Sequence, residues 1–434
     1  MSPLDIGILT WAYPPEKSGL SRAAREIAEA LAETGQRVRV LTLDRDGTDG
    51  CENLRIVGVL KHLGWAKRLL RRAPAAGHLA APLAFRAAVR AEHARRRFDI
   101  VEGTNWYAPG LFVSRAGNLP YVTRHSTPAA TSIEQPPTLR NRCDAEAAKY
   151  IEAVSARASA GHISNRRAHG ERIERLYRLT PDGAPHATVG LSLSPEFLER
   201  ASAAPYPANA SPLEILFVGR PEARKGFDLL CGALTLLASE AEGRAHPRLR
   251  AHLVGVTTAD LLFDAEDVVE VRCYHRVEEH ELHDLFSRAH IVAAPSRYES
   301  FGLVYQEALA YGRPLVALGG DASAAEALKD GGGILAAAPT AGALAAALGR
   351  LIGSEAARNE CRAQALAAAN GFTRASLAKE TLALYGRALS ADRKAVAMPS
   401  RPLAVLPRAA SPHIAANERE PVLRTDNDRA RRAG

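Results

Sequence analysis

One stretch of this 434-residue chain indicates its architecture, and it reads Pro295-Ser296-Arg297-Tyr298-Glu299-Ser300-Phe301-Gly302-Leu303-Val304-Tyr305-Gln306-Glu307-Ala308-Leu309-Ala310-Tyr311-Gly312-Arg313-Pro314. The residues just before it, Ala289 to Ala294, are mostly apolar and predict a buried strand. Gly302 to Tyr311 predict a helix that Gly312 and Pro314 close. The stretch therefore connects a strand to a helix, the place where alternating α/β folds bind their ligands.

Two carboxylates belong to this connection. Glu299 lies in the predicted turn and Glu307 on the predicted helix, and both can face a ligand placed above the first helical turn. The exposed N–H groups and the positive dipole end of the helix favour a phosphate there, while carboxylates suit sugar or ribose hydroxyls. Two surface acids beside an ordinary turn would show the same spacing, so the interpretation depends on the residues around them.

The whole stretch resembles the P-S-x-x-E-x-F-G-L-x-x-x-E-A-x-A-x-G-x-P signature of family 4 retaining glycosyltransferases, also described as glycosyl transferase group 1. The resemblance implies the GT-B fold, an α/β architecture in which two Rossmann-like lobes face each other across a cleft. It implies that Glu299 contacts the donor sugar as a catalytic residue and that Glu307 binds the nucleotide ribose. The backbone of Phe301, Gly302 and Leu303 would bind the diphosphate.

Strand-like and helix-like segments alternate in two rounds along the chain. The first round begins with a strand at Ile6 to Thr10, and the second begins with a strand at Leu213 to Val218, after a linker rich in Pro, Ala and Ser. We predict an acceptor-side lobe at 1–200, a nucleotide-sugar-binding lobe at 201–385, and a disordered tail at 386–434. A helix from Arg374 to Leu389 would cross back onto the first lobe, as in GT-B proteins.

A loop in the second lobe supplies positive charge. The segment Phe217 to Gly226 resembles the strand-G-R-x-x-x-x-K-G loop of the family, which would place Arg220 and Lys225 at the leaving diphosphate. Breaking a glycosyl–phosphate bond builds negative charge, and fixed cations stabilise that charge more in the transition state than in the ground state. We therefore predict a transferase with no catalytic metal and no cofactor other than its nucleotide-sugar donor. One Arg and one Lys in a loop also occur simply for solubility.

The first lobe carries two further candidates. The loop after the first strand ends in Ser18-Gly19, where the family usually has Gly-Gly, and Gly19 would line the cleft. Tyr121 to His125 resembles the family strand that ends in a histidine near the reacting sugar, so His125 is a candidate catalytic residue; a structural histidine is the alternative. Departures from the family pattern at 189–192 and 317–326 leave the donor unidentified.

The net charge of +8 does not predict a nucleic-acid partner, because residues 387–434 alone carry ten Lys/Arg and five Asp/Glu. That tail is an unstructured polar segment or a tethered anion-binding arm. A second basic segment, 61–97, has ten Lys/Arg and one acid, interleaved with Trp65 and several leucines. It predicts peripheral contact with an anionic membrane, docking of an acidic acceptor, or a solvated basic helix.

Composition predicts a cytoplasmic protein, and the basic segment 61–97 allows peripheral contact with the inner membrane face. Five scattered cysteines lack metal-ligand spacing and are typical of a reducing compartment. The N-terminus lacks the basic flank and apolar run of a secretory signal, and no apolar run is long enough to span a bilayer.

Three other functions compete with a glycosyltransferase. Asp44-Arg45-Asp46-Gly47-Thr48 matches the D-x-D-G-T motif of haloacid-dehalogenase-type phosphatases, although a turn explains it equally well. A glycoside hydrolase would need two carboxylates across a glycosidic bond. A non-catalytic nucleotide-sugar-binding protein would bind the donor without releasing nucleoside diphosphate. We predict a hexosyltransferase that moves a sugar from a nucleoside diphosphate sugar to a hydroxyl of a glycan, a lipid-linked or a small-molecule acceptor.

Overall fold

The computed structural model describes residues 3–16, 18–132, 138–180, 182–207, 212–241, 248–262 and 269–397. The strands of the first lobe are β1 (Asp5–Thr10), β2 (Arg37–Thr42), β3 (Thr48–Gly50), β4 (Leu54–Gly58), β5 (Ile100–Thr104), β6 (Tyr121–His125), β7 (Gly161–Ser164) and β8 (His186–Thr188). Its helices are α1 (Gly19–Glu33), α2 (Trp65–Leu70), α3 (Ala80–Arg95), α4 (Leu111–Ser114), α5 (Ala129–Ser132), α6 (Leu139–Arg157), α7 (Arg167–Tyr177) and α8 (Pro195–Ala203).

The second lobe repeats the alternation. Its strands are β9 (Leu213–Val218), β10 (Leu249–Val254), β11 (Val269–Tyr274), β12 (Ile291–Ala294), β13 (Leu315–Leu318) and β14 (Gly333–Ala336). Its helices are α9 (Phe227–Ala241), α10 (Glu279–Arg288), α11 (Leu303–Ala310), α12 (Ala322–Ala327), α13 (Ala341–Ile352), α14 (Glu355–Ala369) and the long terminal helix α15 (Arg374–Ala397).

Each lobe is built on one sheet. The strand order is β3-β4-β2-β1-β5-β6-β7-β8 in the first and β11-β10-β9-β12-β13-β14 in the second, and the pairings are parallel except for β3 with β4. In both sheets the strand order reverses beside the first strand, between β1 and β5 and between β9 and β12. Such switch points open a crevice at the carboxyl ends of the two strands, where α/β folds bind ligands. This is the predicted pair of Rossmann-like lobes.

Helices cover both faces of both sheets. In the first lobe, α1 and α15 share one apolar cluster with Ile6, Val38 and Ile100, and α3 packs on the opposite face. In the second, α9 and α13 cover one face, while α10, α11 and α14 cover the other. Strands β1, β12 and β13 are buried along their whole length because helices cover both faces of the sheets there.

The terminal helix belongs to the core of the first lobe. Leu377, Leu384 and Tyr385 are almost completely buried against that lobe, although they follow the second lobe in the chain. Arg374 anchors the start of the helix by ion pairs to Glu26 and Glu33 on α1, at 2.9 Å and 2.6 Å. The helix continues past residue 385 to Ala397; the rest of the predicted tail, 398–434, and residues 208–211 of the linker lie outside the described residues.

The basic segment 61–97 forms a short 3-10 turn at Leu60–His62, then α2 and α3. Trp65 and Leu69 on α2 are exposed, with relative accessibilities of 81% and 58%. Within the described part of the chain, no helix is both long and apolar enough to cross a membrane.

Candidate functional site

The connection between β12 and α11 is held in one conformation by Gly302. Its φ is +79°, which places it in the left-handed region, and a Cβ at this position would lie 2.2 Å from the ring of Tyr305. Only glycine fits both the torsion and the space. Tyr305 is in turn fixed by a 2.8 Å hydrogen bond that its hydroxyl donates to Asp321. The first turn of α11 therefore opens directly after a rigid bend.

Glu299 lies within that bend, 9% exposed and surrounded by donors. Its Oε1 lies 2.5 Å from Nζ of Lys225 and accepts a 2.9 Å hydrogen bond from Ser296. Its Oε2 lies 3.7 Å from Arg224. A nearly buried carboxylate is thus held between two cations, an arrangement that fixes its direction.

Lys225 reaches Glu299 because its loop packs on the motif. Gly226 has a φ of +68°, and a Cβ there would lie 1.9 Å from the carbonyl oxygen of Pro295. The backbone N–H of Arg297 also donates a 2.8 Å hydrogen bond to the carbonyl of Arg224. The two loops follow β9 and β12, which are neighbours in the sheet, so the switch point of the second lobe brings them together.

Arg220, predicted to bind the same diphosphate, is placed differently. Its side chain is 74% exposed and lies 2.8 Å from Glu222, which also pairs with Arg224 at 3.4 Å. Arg220 is therefore separated from Glu299 by two charged side chains. The structure brings Lys225 and Glu299 together and leaves Arg220 at the outer end of the loop.

Glu307 lies on α11 and is 1% exposed. Its Oε1 lies 2.5 Å from Nη2 of Arg22 on α1, so the ion pair joins the two lobes. The carboxylate raises the pKa of the Arg22 guanidinium above its ordinary value. Sequence reasoning missed Arg22; its position three residues after Gly19, on the cleft-facing end of a predicted helix, was the available signal.

Phe301 and Leu303 also contact the first lobe. The Phe301 ring is 3% exposed and packs in the apolar cluster of the first lobe, with the Arg166 guanidinium 4.6 Å from the ring centroid. A Cβ on Gly19 would lie 3.8 Å from Leu303. Gly19 and the motif therefore lie on opposite walls of the same cleft. Arg166 is a second cation at this boundary that sequence reasoning did not identify.

His125 is placed away from the cleft surface. It is fully buried, and its Nε2 lies 3.2 Å from Nδ1 of His162. The rings of His162 and His186 lie 5.3 Å and 5.9 Å from its own. Burial holds the pKa of His125 well below its ordinary value and lowers that of His162 to about 3, so both rings are neutral at pH 7. The neighbouring Ser126 and Thr127 are the partly exposed residues of this strand end.

Asp321 and Ser323 support the bend from behind. Asp321 accepts a 3.2 Å hydrogen bond from the backbone N–H of Glu299, and the Ser323 hydroxyl donates a 2.6 Å bond to the Glu299 carbonyl. Burial raises the pKa of Asp321. Both residues lie in the segment 317–326 whose spacing departs from the family pattern, so the motif comparison alone did not identify them.

A cavity of about 510 Å³ lies between the lobes beside these residues. The first lobe contributes the loop around Pro15 and Gly19 with Arg22, and the second contributes residues 277–279 and Leu303. This volume is in the range of sites that hold a nucleotide-sized ligand. Arg22 connects the cavity wall to Glu307, so the cavity and the motif helix form one continuous site.

The D-x-D-G-T segment has a structural role. Asp44 accepts hydrogen bonds from the backbone N–H of Tyr13 at 3.0 Å and from the Thr42 hydroxyl at 2.8 Å, and it pairs with Arg45 at 2.8 Å. Its oxygens are engaged in holding the loop after β1. Among the residues that the structure describes, no three His, Cys, Asp or Glu side chains are grouped to hold a metal ion.

The chain matches two protein-family models: Glycosyl transferases group 1 over residues 200–367, and Glycosyl transferase 4-like domain over residues 18–191. A D-inositol 3-phosphate glycosyltransferase from Kineococcus radiotolerans is 30% identical over 414 residues, which cover 88% of this chain and 92% of the relative. A glycogen synthase from Mycobacterium tuberculosis is 26% identical over 416 residues, covering 90% and 96%.

Solved structures show the same fold. The sucrose-phosphate synthase from Thermosynechococcus elongatus superposes with a TM-score of 0.68 at 19% identity, covering 89% of this chain and 99% of that one. The catalytic domain of starch synthase IV from Arabidopsis thaliana, bound to ADP and acarbose, superposes with a TM-score of 0.60 at 12% identity, covering 90% and 100%.

Proposed function

The chain belongs to the group 1 glycosyltransferases, and we propose that it transfers a hexose-like sugar from a nucleoside diphosphate sugar to an acceptor hydroxyl, with retention at the anomeric carbon. The observation that carries this proposal is the convergence of Lys225 and Glu299, 2.5 Å apart, on the turn that opens α11 at the edge of the inter-lobe cavity. A cation, a carboxylate and the N-terminal end of α11 then surround one point, which suits a sugar joined to a diphosphate.

Each part of the donor has a matching part of the site. The nucleoside occupies the cavity between α1 and residues 277–279, and Glu307 accepts hydrogen bonds from the ribose hydroxyls. The diphosphate lies against Lys225, Arg224 and the N–H groups at the start of α11. Glu299 accepts hydrogen bonds from the transferred sugar, and Lys225 then exchanges its pairing with Glu299 for the phosphate oxygens.

The chemistry follows from where charge develops. The bond between the anomeric carbon and the phosphate oxygen breaks while the acceptor oxygen forms its bond on the same face. The acceptor proton passes to the departing phosphate oxygen. Lys225 and Arg224 stabilise the negative charge on that oxygen, and they are fixed before the reaction begins, which is the condition for electrostatic catalysis. We propose that these cations take the place of a divalent metal ion.

The test is turnover of a panel of nucleotide sugars, with released UDP or GDP measured for the wild type and for Glu307→Ala. We expect one donor to be turned over by the wild type and at least about a hundredfold loss in Glu307→Ala, with an unchanged far-UV circular dichroism spectrum. Donor binding without release of nucleoside diphosphate would instead indicate a non-catalytic binding protein. Glycoside cleavage with no use of nucleotide sugars would indicate a hydrolase.

We further propose that the protein works in the cytoplasm, at the surface of an anionic membrane. All five cysteines lie among the described residues and are free thiols, which fits a reducing compartment. Trp65, Arg68 and Leu69 are exposed and follow helical spacing along α2, and the exposed Arg72 lies in the turn just after it. This surface presents apolar and basic groups together. Such a face inserts its apolar side chains at the headgroup level while the cations meet anionic lipid.

Vesicle sedimentation tests the membrane proposal. Wild-type protein should bind vesicles containing phosphatidylglycerol and remain unbound with pure phosphatidylcholine. The double variant Trp65→Ala, Leu69→Ala should lose most of this binding, while Leu262→Ala, which changes an exposed leucine of the second lobe, should retain it. Equal sedimentation of the two variants would exclude α2 as the contact.

A further inference from the structure

We propose that Trp11, Trp106 and Tyr107 form an aromatic cluster, called the platform below, on which a saccharide acceptor stacks a sugar ring through Trp106. The proposal deepens the function given above, because it names the acceptor class for the same cleft. It rests on the position of these three rings, on their partial exposure, and on a row of hydroxyl groups that connects them to the turn carrying Glu299 and Ser300.

The platform lies at the switch point of the first sheet. Trp11 directly follows β1, and Trp106 and Tyr107 follow β5, the strand that pairs with β1 on the side where the strand order reverses. The equivalent point of the second sheet carries Lys225 and Glu299. Ligands of α/β folds bind at switch points, so each lobe offers one set of binding loops. The donor uses the loops of the second lobe, which leaves the platform in the first lobe for the acceptor.

The three rings are held together and remain partly exposed. The ring centroid of Tyr107 lies 6.1 Å from that of Trp11 and 4.8 Å from that of Trp106, both edge to face. The His78 ring stacks on Tyr107 with centroids 5.0 Å apart, so Tyr107 supports the cluster and Trp106 is its sugar-binding ring. The indole N–H of Trp11 donates a 2.7 Å hydrogen bond to the carbonyl of Trp106. A cluster meant only for core packing would be buried, as Phe85 beneath Trp11 is.

The backbone of this loop is strained to present the rings. Tyr107 and Ala108 have φ values of 49° and 44°, in the left-handed region that non-glycine residues seldom adopt. The buried carboxylate of Glu152 holds the loop there, accepting a 3.0 Å hydrogen bond from the backbone N–H of Tyr107. Strain maintained by a buried partner is typical of binding loops.

A row of side-chain hydroxyls connects the platform to the turn that carries Glu299. The backbone N–H of Trp106 donates to Thr104 Oγ1 at 3.2 Å, and Thr104 Oγ1 lies 3.0 Å from Ser126 Oγ. The next residue, Thr127, donates to Ser300 Oγ at 3.2 Å, and Ser300 adjoins Glu299. All of these hydroxyl-bearing residues are partly exposed.

This surface fits a pyranose ring better than other acceptors. A pyranose has an apolar C–H face that stacks on aromatic rings and hydroxyls around its edge that the Thr and Ser side chains can bind. An acyl chain would leave the row of hydroxyls unused. A free linear polyol has the hydroxyls but lacks the flat face. A sugar stacked here would direct an edge hydroxyl toward Ser300 and the adjacent Glu299.

Intrinsic fluorescence reports on the platform directly, because the chain has three tryptophans and two of them are Trp11 and Trp106. In Trp65→Phe, all tryptophan emission comes from the platform. We expect maltose, lactose or N-acetylglucosamine to change this emission saturably, and glycerol at the same concentration to leave it unchanged. Trp106→Ala in that background should weaken saccharide binding about tenfold, and Trp106→Phe should retain most of it.

Binding of UDP and GDP, and donor hydrolysis without acceptor, are measured on the same samples. If nucleotide binds and donor is hydrolysed but no saccharide changes the emission, the platform proposal is overturned while the proposed function stands. If saccharides bind but no nucleotide does, the platform is retained and the proposed function fails. Equal saccharide affinity in Trp106→Ala and the parent would also overturn the platform.

Discussion

The guanidinium of Arg22 lies 2.5 Å from the carboxylate of Glu307, and this ion pair joins helix α1 of one lobe to helix α11 of the other. Glu307 is 1% exposed, and Arg22 is the cation that its carboxylate contacts. The cation that orients the proposed ribose-binding carboxylate therefore comes from the opposite wall of the cleft. We therefore expect donor binding at Glu307 to depend on this contact between the lobes.

The first prediction concerns that pair. Arg22→Ala leaves the buried carboxylate of Glu307 without its cation. A buried polar group that loses its partner typically pays a desolvation penalty of about 1–3 kcal/mol. We expect the Kd of the nucleoside diphosphate, measured by calorimetry, to rise about tenfold. The matched control is Arg167→Ala, which removes an 82% exposed arginine of α7 that pairs with Glu171 on its own helix. Unchanged affinity in Arg22→Ala would show that Glu307 needs no partner from the first lobe.

The second prediction separates two cations of one loop. Lys225→Ala should lower kcat by about 10²–10³, because Lys225 lies at Glu299 and at the proposed diphosphate. Arg220→Ala should lower kcat less than about tenfold, because Arg220 is 74% exposed and paired with Glu222. The measurement is kcat of each variant from steady-state kinetics at saturating donor. A larger loss in Arg220→Ala would mean that this side chain swings inward on donor binding.

The third prediction concerns Gly302. Gly302→Ala forces a Cβ into the Tyr305 ring at a positive φ, and we expect a loss of about 1–3 kcal/mol in the free energy of unfolding. Urea denaturation measures it. Gly320→Ala is the control, because nothing lies within 4 Å of a Cβ there. Equal stability of the two variants would contradict the packing of the bend.

The fourth prediction is a pH dependence of stability from the buried histidines. Burial lowers the pKa of His162 to about 3 and that of His169 to about 4, whereas an unfolded histidine titrates near about 6.5. The unfolded state therefore binds more protons below pH 6.5, so stability is full above that pH and falls as the pH drops toward 4. Each such histidine contributes a slope of up to about 1.4 kcal/mol per pH unit.

Urea denaturation at pH 7.5 and pH 5.5 checks the fourth prediction. His162→Gln should reduce the difference in unfolding free energy between the two pH values. His280→Gln, which changes an exposed histidine, should leave the difference unchanged. A wild-type protein equally stable at both pH values would refute the assignment of neutral buried rings.

The fifth prediction concerns metal removal. Because Lys225 and Arg224 lie at the proposed leaving group, we expect sugar transfer to retain at least about half its rate after dialysis against EDTA. The measurement is released nucleoside diphosphate before and after chelation. Abolished activity that Mg²⁺ restores would show that these cations do not suffice.

The two Rossmann-like lobes were predictable from sequence because their strands are short apolar runs separated by helices. The predicted strand at Leu213 to Val218 agrees with β9, and the predicted helix at Gly302 to Tyr311 differs from α11 by one residue at each end. Local propensity and turn residues determine such elements. The candidates Lys225, Glu299 and Glu307 also came from local motifs, and the structure places the first two in direct contact.

The amino-acid sequence by itself determined the alternation of strands and helices, the strand-turn-helix motif and the loop that carries Lys225. Each of these depends on residues that are close together in sequence. Tertiary structure decided the partners across long separations: Arg22 with Glu307, the platform from β1 and β5, the burial of His125 and the exposure of Arg220. These depend on how the sheets twist and how the lobes close, because a contact between residues hundreds of positions apart leaves no local pattern in one sequence.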